Sequence, residues 1–506
     1  MAKDDDKQVV QEEDSKGLPM TKNWDPEELR KEEEVLQGLE GSPWPERIKG
    51  YFKLTGPAWT QSAMTLGAGS AAASVMAGAF YGYNLLWVQP IAMFLGVFML
   101  AALANITLTK GERAYGIVQR ETHPSLAIAW AAATLIATVI WHFGQYALLG
   151  GAFWDLANVA GIENAEGSTA IETIVRFGGG FLILGINIYL TWNYGSKPKG
   201  VKAYEGFLRW MIRLVMLSFF IVVVVQVFRA EVDFGAIFKG FFTFTVPEGS
   251  ITMILGAIGA AVGINMTFLY PYSLLARGWG KHHKGLARYD LGVTLFVPYV
   301  ILTSLIIVGM ASTMYGRPVM EGLTPADFRP VDAAQSLGIV FGGPIGRIVF
   351  DLGFIGMACG AISAHMICCG FTACEMLGLK YTPKRYKMFT LIPAIGVLGV
   401  MIRSPIWLPV IASAVAFTML PIAYVIFFVL NNKRSYLGDA VGKGWRRMAV
   451  NLILLVALVM SLIGASIRIK SGVIDRVRSM FDGGQTEEIV EPIEMIQIEE
   501  DVEDVD

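Results

Sequence analysis

Residues 64–74 read MTLGAGSAAAS and residues 259–271 read GAAVGINMTFLYP, and these two stretches decide the fold. Each lies inside a long apolar segment, yet each carries glycines and polar side chains near its middle. Glycine weakens a helix, and Pro271 removes a backbone donor. Interrupted membrane helices free backbone groups that only protein or a cavity can satisfy. We therefore expect two broken helices that border one site, although small residues also serve close helix packing.

The composition around these stretches indicates a membrane protein. The chain has 506 residues, of which 54% are hydrophobic and 17% are charged, with a formal net charge of −2. A soluble protein carries about a quarter of its residues charged. Residues 1–43 have a net charge of −7 and residues 479–506 of −11, which leaves +16 for the middle of the chain. The basic residues there lie between apolar runs, which excludes a nucleic-acid binder.

Eleven apolar segments in the middle of the chain are candidates for crossing about 30 Å of hydrocarbon. We number them spans 1 to 11, and they cover 56–79, 84–109, 127–155, 177–195, 206–228, 251–275, 290–314, 345–378, 388–402, 405–430 and 447–467. Lipid requires each span to be a helix, because no water is present to satisfy exposed backbone groups. The predicted fold class is therefore an all-α membrane protein.

Lysine and arginine predict the orientation of these spans. The loop before span 1 (residues 44–55) and every second loop after it, each counted with the first eight residues of the span that follows, carry 24 such residues, whereas the intervening loops counted in the same way carry 7. This bias predicts a cytoplasmic N-terminus and an integral, multi-pass protein of the plasma (inner) membrane. Four basic residues next to span 11 run against the bias, because eleven spans place the C-terminus outside.

The same pattern divides the chain into five parts. Residues 1–50 form an acidic cytoplasmic tail with a short surface helix, and residues 51–230 hold spans 1–5 as a first repeat. Residues 251–430 hold spans 6–10 as a second repeat, and 445–470 hold span 11. The acidic segment 471–506 has the composition of a disordered tail.

The candidate site residues lie mainly at the two interruptions. Substrate binding is predicted for Gly67, Ala68, Gly69, Ser70, Ala260, Gly263, Asn265 and Thr267. Titratable groups inside membrane spans are costly and suggest function. His142 and His365 are candidates for carrying protons, although each also suits a packing role, and Gln61 and Gln145 are candidates for a polar pathway.

Four cysteines lie in span 8, and two of them share a helical face with His365. Cys368 and Cys369 follow this histidine by three and four residues, so a soft-metal site is one interpretation and apolar packing the more ordinary one. The sequence contains no nucleotide-binding fingerprint, phosphate loop or catalytic triad. It predicts no enzyme activity and no cofactor.

Several motifs resemble those of the Nramp family of divalent-metal transporters. They include Gly56-Pro57, Ser62-Ala63-Met64, Ala77-Gly78-Ala79 and Gly82-Tyr83 in and after span 1, and Gly256 to Ala260 in span 6. The similarity covers roughly residues 45–467. It implies the leucine-transporter fold, with inverted five-helix repeats, broken helices 1 and 6, and alternating access.

The resemblance also implies where the metal ligands of the family fall. The family motif Asp-Pro-Gly-Asn of helix 1 falls on Gly67 to Ser70, and Ala-x-x-Met-Pro-His of helix 6 falls on Ala260 to Asn265. Only the Ala260 carbonyl is retained, with Ser70 and Asn265 as further candidates for metal binding. A second family histidine falls on Tyr270, and the acidic pair of the proton relay falls on His142 and Gln145. Met266 would supply a thioether only if the register of helix 6 slipped by three residues.

Three functions are compatible with these residues. The first is symport of a divalent metal, with protons as the candidate coupling ion. One form of this function is transport of a hydrated, magnesium-like ion held by Ser70, Asn265 and Thr267. The second is transport of a small anion or carboxylate at the glycine-rich break, because a half-helix start offers free N–H groups. The third is a sensor that has lost transport. The missing carboxylates matter, because burying an uncompensated charge costs on the order of tens of kcal/mol by Born estimates.

Overall fold

The computed structural model describes residues 26–162, 169–194, 198–379, 382–402 and 406–470, and the regular structure in these ranges is helical. The predicted tail 471–506 and the first 25 residues of the N-terminal tail lie outside them. The helices of the first half are α1 (Pro26–Glu40), α2 (Trp44–Leu54), α3 (Pro57–Thr65), α4 (Ala68–Tyr81), α5 (Val88–Lys110), α6 (Ala114–Glu121), α7 (Pro124–Val159), α8 (Ala170–Tyr194), α9 (Pro198–Phe228) and α10 (Phe234–Phe242).

The second half continues with the same kind of structure. Its α-helices are α11 (Ile251–Ala261), α12 (Ile264–Ala276), α13 (Lys284–Asp290), α14 (Val297–Thr313), α15 (Pro330–Phe341), α16 (Gly343–Met376), α17 (Pro383–Phe389), α18 (Trp407–Phe417), α19 (Leu420–Asn432), α20 (Arg434–Leu437) and α21 (Gly444–Ile469). A π-helix, Leu291–Phe296, joins α13 to α14. Short 3₁₀ helices cover Lys281–His283, Pro318–Met320, Ile392–Met401 and Gly438–Ala440.

The number of spans differs from the expected eleven. Seven helices of the described residues are long and apolar enough to cross a bilayer, and nine spans result when two bent pairs are each taken as one. These pairs are α3–α4, bent by 47°, and α18–α19, bent by 41°. Span 5 contains a shorter apolar helix, Met216–Phe228, within α9. The bend in span 10 is one that the sequence pattern did not predict.

Span 9 is not the α-helix predicted at 388–402. It consists of α17 and the 3₁₀ helix Ile392–Met401. A 3₁₀ helix has three residues per turn, so Gly396 and Gly399 lie on one face. A Cβ atom at Gly396 would lie 2.4 Å from Cβ of His142, and one at Gly399 would lie 2.2 Å from the carbonyl oxygen of Phe143. The tighter helix thus places its glycines against α7, closer than any side chain allows.

Burial separates inner helices from outer ones. In α16 89% of the apolar window is buried, against 22% in α8 and 28% in α21. Large apolar side chains remain exposed along α8 and α21, among them Phe181, Leu182, Leu452 and Ile463. Exposed apolar faces of this extent are unusual on soluble proteins. They are the faces that a lipid bilayer would cover.

The inner helices meet around the two interruptions. α7 packs against α16 and α18, and α11 packs against α4 and α18. α3 and α12 also contact each other, so both interrupted spans lie inside the bundle. The large side chains that fill this core include Trp130, Tyr146, Tyr272 and Phe268, all nearly inaccessible to solvent.

Candidate functional site

The interruption of span 1 lies between Thr65 and Ala68. Gly67 has an extended conformation, with φ −84° and ψ −167°, and α4 begins after it. In a continuous helix the carbonyl of Thr65 would accept a hydrogen bond from the N–H of residue 69. Here the Ser70 hydroxyl donates to that carbonyl instead. Ser70 therefore satisfies a carbonyl that the break leaves open, which gives this serine a structural role at the site.

The interruption of span 6 lies at Val262 and Gly263, both with extended backbone. The end of α11 is joined to span 1, because the Thr65 hydroxyl donates to the carbonyl of Ala261 at 2.8 Å. The same hydroxyl lies 3.1 Å from the sulfur of Met266. The two broken spans therefore meet at one point, where a thioether and several backbone groups converge.

A small cavity lies at this point. Its volume is about 10 Å³, which is room for about one water molecule. The residues that line it come from both halves of span 1, both halves of span 6, and helices α7, α16 and α18: Met64, Thr65, Gly69, Ser70, Trp141, Gln145, Ala260, Met266, His365 and Ser413. Among the described side chains that line the cavity none is acidic, while one is an imidazole and two are thioethers.

Five of the candidate residues named from the sequence line this cavity, namely Gly69, Ser70, Ala260, Gln145 and His365. Gly67 is adjacent, since a Cβ there would lie 3.0 Å from Nε2 of Gln145. Ala68 begins α4. Thr267 points elsewhere, because its hydroxyl accepts a hydrogen bond from Nε1 of Trp130 at 2.9 Å.

The remaining predicted residues are buried around the cavity without lining it. The side-chain oxygen of Asn265 accepts from the N–H of Met266 at 2.9 Å, and its Nδ2 has no partner among the described residues. Both amide atoms of Gln61 are likewise buried without a hydrogen-bond partner in the described ranges. The Tyr270 hydroxyl donates to the carbonyl of Ala287 at 3.4 Å, which places it away from the cavity.

Five residues that line the cavity were not among the predicted site residues, namely Met64, Thr65, Trp141, Met266 and Ser413. Met266 lies one helical turn beyond Gly263, so its sulfur reaches the cavity without any change of register. Nε1 of Trp141 donates to the Ser413 hydroxyl at 3.0 Å, which ties α7 to α18. A sequence signal existed only for Met266, because a thioether one turn after a helix break is placed to face the same cavity.

Side chains from neighbouring helices occupy the space that the family ligands would need. A Cβ atom at Gly67 would lie 2.5 Å from Cβ of Ala361. A Cβ atom at Gly263 would lie 1.9 Å from Cη2 of Trp141. Neither an aspartate at the first position nor a methionine at the second fits this packing. The neighbouring helices therefore leave no room for these ligands, in addition to the ligands being absent from the sequence.

His365 is the most unusual polar group in the cavity. Its ring stacks on Trp141, with centroids 5.7 Å apart and planes at 5°, and its Nδ1 has no partner among the described residues. The ring of His142 lies 5.2 Å away, centroid to centroid, and its Nδ1 donates to the carbonyl of Thr138 at 3.2 Å. Two imidazoles thus adjoin each other at the centre of the bundle.

None of the four cysteines of span 8 lines the cavity. All four are buried and free. The Cys368 thiol donates to the carbonyl of Asn265 at 3.3 Å, which supports the backbone at the start of α12. No group of three or more histidine, cysteine or acidic residues is arranged to hold a metal within the described part of the chain. A metal in the cavity would therefore depend on thioether, imidazole and backbone donors.

Asp290 closes one end of the bundle around the start of span 1. Its carboxylate accepts from the N–H of Gly56 at 3.2 Å and from that of Ala58 at 2.9 Å. Pro57, between them, has no N–H to satisfy. The Thr294 hydroxyl also lies 3.0 Å from this carboxylate. A negative group at a helix N-terminus is favourable, so Asp290 ties α3 to span 7.

We expect Asp290→Asn to release α3. The amide retains one acceptor oxygen and presents N–H groups to a backbone donor, so about 1.5–3 kcal/mol of hydrogen bonding to a charged group is lost. Hydrogen exchange of residues 57–65 should become faster, as measured by mass spectrometry. Asp439→Asn is the matched control, because Asp439 is exposed and pairs with Lys443 on the surface. Unchanged hydrogen exchange at residues 57–65 in Asp290→Asn would contradict the inference that Asp290 holds the start of α3.

A larger, charged cavity of about 270 Å³, which we call the outer cavity, lies at the C-terminal end of α7. Asp155 lines it and forms a two-point ion pair with Arg347 of α16, with Nε 3.0 Å from Oδ2. Glu172 and Arg176 line it as a second ion pair. Gly151 lines this outer cavity and Gln145 the central one, six residues or about 9 Å apart along α7.

Comparison with known proteins agrees with this architecture. The family model "Natural resistance-associated macrophage protein-like" matches residues 58–466. The divalent metal cation transporter MntH of Bacillus subtilis is 26% identical over 437 residues, covering 81% of this chain and 92% of that protein. The MntH of Deinococcus radiodurans is 22% identical over 454 residues, covering 86% and 94%. The human natural resistance-associated macrophage protein 2 is 21% identical over 448 residues, covering 80% and 73%.

Solved structures share the fold. A manganese transporter of Eremococcus coleocola superposes with a TM-score of 0.64 at 14% identity, covering 88% of this chain and 92% of that one. Mhp1, a nucleobase-cation-symport-1 family transporter, superposes at 0.53 over 82% and 93%, also at 14% identity. The leucine-transporter-like fold predicted from the sequence is confirmed, and the MntH relatives are divalent metal cation transporters and not enzymes. With its two interrupted spans meeting at one cavity and a family match over most of its length, this integral membrane protein belongs to the Nramp family.

Proposed function

We propose that this chain transports a divalent transition-metal ion by alternating access through the central cavity. The observation that carries the proposal is the convergence of the Met266 sulfur and the His365 imidazole at the meeting point of two interrupted spans. Thioether and imidazole are ligands that transition metals accept and that magnesium and calcium do not favour. Membership of the Nramp family supports a metal as the substrate class.

The helix ends around the cavity add oxygen ligands. The Ala260 carbonyl lies near the end of α11, and the Thr65 carbonyl at the end of α3 keeps a second lone pair beside the hydrogen bond that it accepts from Ser70; both carry partial negative charge. Half-helix ends of this kind hold cations in transporters of interrupted helices. They offset part of the charge that the missing carboxylates would have balanced. Ser70 and Asn265 contribute less, because both are engaged at the breaks themselves.

The size of the cavity favours a dehydrated ion over a hydrated one. Magnesium usually keeps several of its waters. A cavity of about 10 Å³ has room for about one. Thr267, which would be needed for a widened hydrated site, is hydrogen-bonded to Trp130 instead. We therefore favour a dehydrated transition-metal ion over hydrated Mg²⁺ as the substrate of this site, with a soft ion such as Cd²⁺ bound more tightly than a harder one such as Mn²⁺.

The two closed ends of the bundle support alternating access. Asp290 holds α3 at one end, and the Asp155–Arg347 pair joins α7 to α16 at the other. Opening either end requires breaking charged hydrogen bonds, which keeps the cavity shut between turnovers. The adjoining rings of His142 and His365 supply the titratable groups for coupling to protons. In this proposal the N-terminus is cytoplasmic, as the distribution of lysine and arginine predicts.

Uptake into proteoliposomes tests the proposal. Reconstituted protein should accumulate Mn²⁺ and Cd²⁺ with saturation, faster under an inward proton gradient, and a tenfold excess of Mg²⁺ should not compete. Empty vesicles are the control. Equal uptake of Mg²⁺ would favour the hydrated-ion alternative, and flux of a small anion without metal flux would favour the glycine-rich break as an anion site. Absence of any flux would favour the sensor.

A further inference from the structure

A groove of about 770 Å³ runs between α5 and the start of α21, at the same end of the bundle as the N-terminus of span 1. Its wall is apolar along the helices, with Phe98 and Ala101 on α5 and Val450 and Ile453 on α21. Between Phe98 and the end of the groove at Asn105, α5 rises by about 10 Å. The groove therefore opens sideways from a helix face that passes through hydrocarbon.

The end of the groove nearest the membrane surface is basic. Arg288 from α13 and Lys443, Arg446 and Arg447 from the segment before and within α21 line it, with Asp439 as an acidic residue among them. Lys443 pairs with Asp439 at 3.4 Å, and both side chains are highly exposed. Neither Arg288 nor Arg446 forms an ion pair with any residue that the structure describes, and both are exposed. Two cations thus remain for a ligand.

Side chains typical of the membrane surface flank these cations. Trp445 is 74% exposed and Met448 is 73% exposed. Tryptophan is enriched where lipid headgroups meet hydrocarbon, so this level of the groove corresponds to the headgroup layer. Arg447 is held by α19, because its guanidinium donates to Oδ1 of Asn432 at 2.9 and 3.0 Å.

We propose that this groove binds an anionic phospholipid of the adjoining leaflet, with the phosphate at Arg288 and Arg446 and an acyl chain along Ala101 and Ile453. The charges of Arg288 and Arg446 complement an anionic headgroup, and basic pockets between membrane helices bind such headgroups. An acidic peptide would match the cations but not the apolar wall. A free phosphate would likewise leave that wall empty.

Native mass spectrometry of the delipidated full-length protein tests this site. Phosphatidylglycerol should bind more tightly than phosphatidylcholine with the same acyl chains, and glycerol 3-phosphate should not bind with the affinity of phosphatidylglycerol. Arg288→Gln with Arg446→Gln should weaken phosphatidylglycerol binding by about thirtyfold, at about fivefold (about 1 kcal/mol) per cation near a charged headgroup. Lys281→Gln with Lys384→Gln is the matched control, because both lysines are exposed at the same end of the bundle and outside the groove.

A second variant keeps the test decisive if the double variant fails to fold. Ala101→Phe fills the apolar wall while leaving every cation in place, and it should weaken phosphatidylglycerol by a similar factor. Equal binding of both lipids, an equal loss in the lysine control, or equally tight binding of glycerol 3-phosphate would each overturn the proposal. These results do not depend on metal uptake, so the lipid site and the transport proposal fail separately.

Discussion

Replacing Met266 with leucine is expected to lower Cd²⁺ uptake at sub-saturating concentration by at least about tenfold, equivalent to about 1.4 kcal/mol of lost binding. Leucine preserves the volume and the apolar character of the side chain, so the change removes the sulfur while the packing is largely kept. The Met266 sulfur is one of two thioethers that line the cavity, and it lies 3.1 Å from the Thr65 hydroxyl at the meeting point of the two broken spans. Initial rates in proteoliposomes over a range of Cd²⁺ concentrations measure the effect.

Met253→Leu is the matched control for this prediction. Met253 is a buried methionine of α11 that does not line the cavity. It undergoes the same chemical change within the same span and should keep its uptake within about twofold, since volume-conserving swaps cost little. If Met266→Leu transported Cd²⁺ as well as Met253→Leu does, the thioether would not be a ligand. The cavity would then have to hold its substrate through oxygen, the His365 imidazole and the Met64 sulfur.

Gly263→Met is expected to abolish uptake and to destabilise the protein, although the family resemblance places a metal-binding methionine there. The new Cβ would lie 1.9 Å from Cη2 of Trp141 and 2.9 Å from Oδ1 of Asn265. Overpacking of a core usually costs about 1–3 kcal/mol and costs more where the neighbours cannot move. Trp141 is held by its hydrogen bond to Ser413, so we expect the upper end of this range or beyond.

Adding Trp141→Ala to Gly263→Met should restore much of the lost stability, because it empties the space that the methionine needs. Thermal unfolding of the purified variants and their Cd²⁺ uptake are the measurements. Gly185→Met serves as the control, since Gly185 lies on an exposed part of α8, where an added Cβ would have no neighbouring atom within 4 Å. A Gly263→Met variant as stable as Gly185→Met would contradict the packing described here.

The local sequence pattern was enough to predict the class of protein, and it predicted one of the two helix breaks in detail. Gly67 and Gly69 predict a weak point in span 1, and the structure bends there by 47°. The pair Val262 and Gly263 interrupts span 6 as expected, yet α11 and α12 continue as one apolar span without a bend of that size. Hydropathy also placed most spans, because the demand for internal backbone hydrogen bonds acts on every segment separately.

Span 9 and the cavity show where local pattern stopped being sufficient. In the 3₁₀ helix Ile392–Met401, Gly396 and Gly399 pack closely on α7, a contact between residues about 250 positions apart. The alignment placed the family methionine at Gly263, three residues before Met266. An alignment compares positions along the chain and does not show in which direction a side chain points. Only the packed bundle shows that the Met266 sulfur points at the break.

Consecutive residues were enough to identify a helical membrane protein of the Nramp family whose usual metal ligands are absent, because helix-breaking glycines, apolar length and family motifs are local properties of the chain. What lies in place of those ligands became visible only from the packing of the helices. Trp141 and Ala361 fill the space beside Gly263 and Gly67, and His365 and Met266 enter the cavity from helices that the sequence does not bring together. Which side chains share a cavity depends on the packing of distant helices, and packing is settled by the shape of all of them at once.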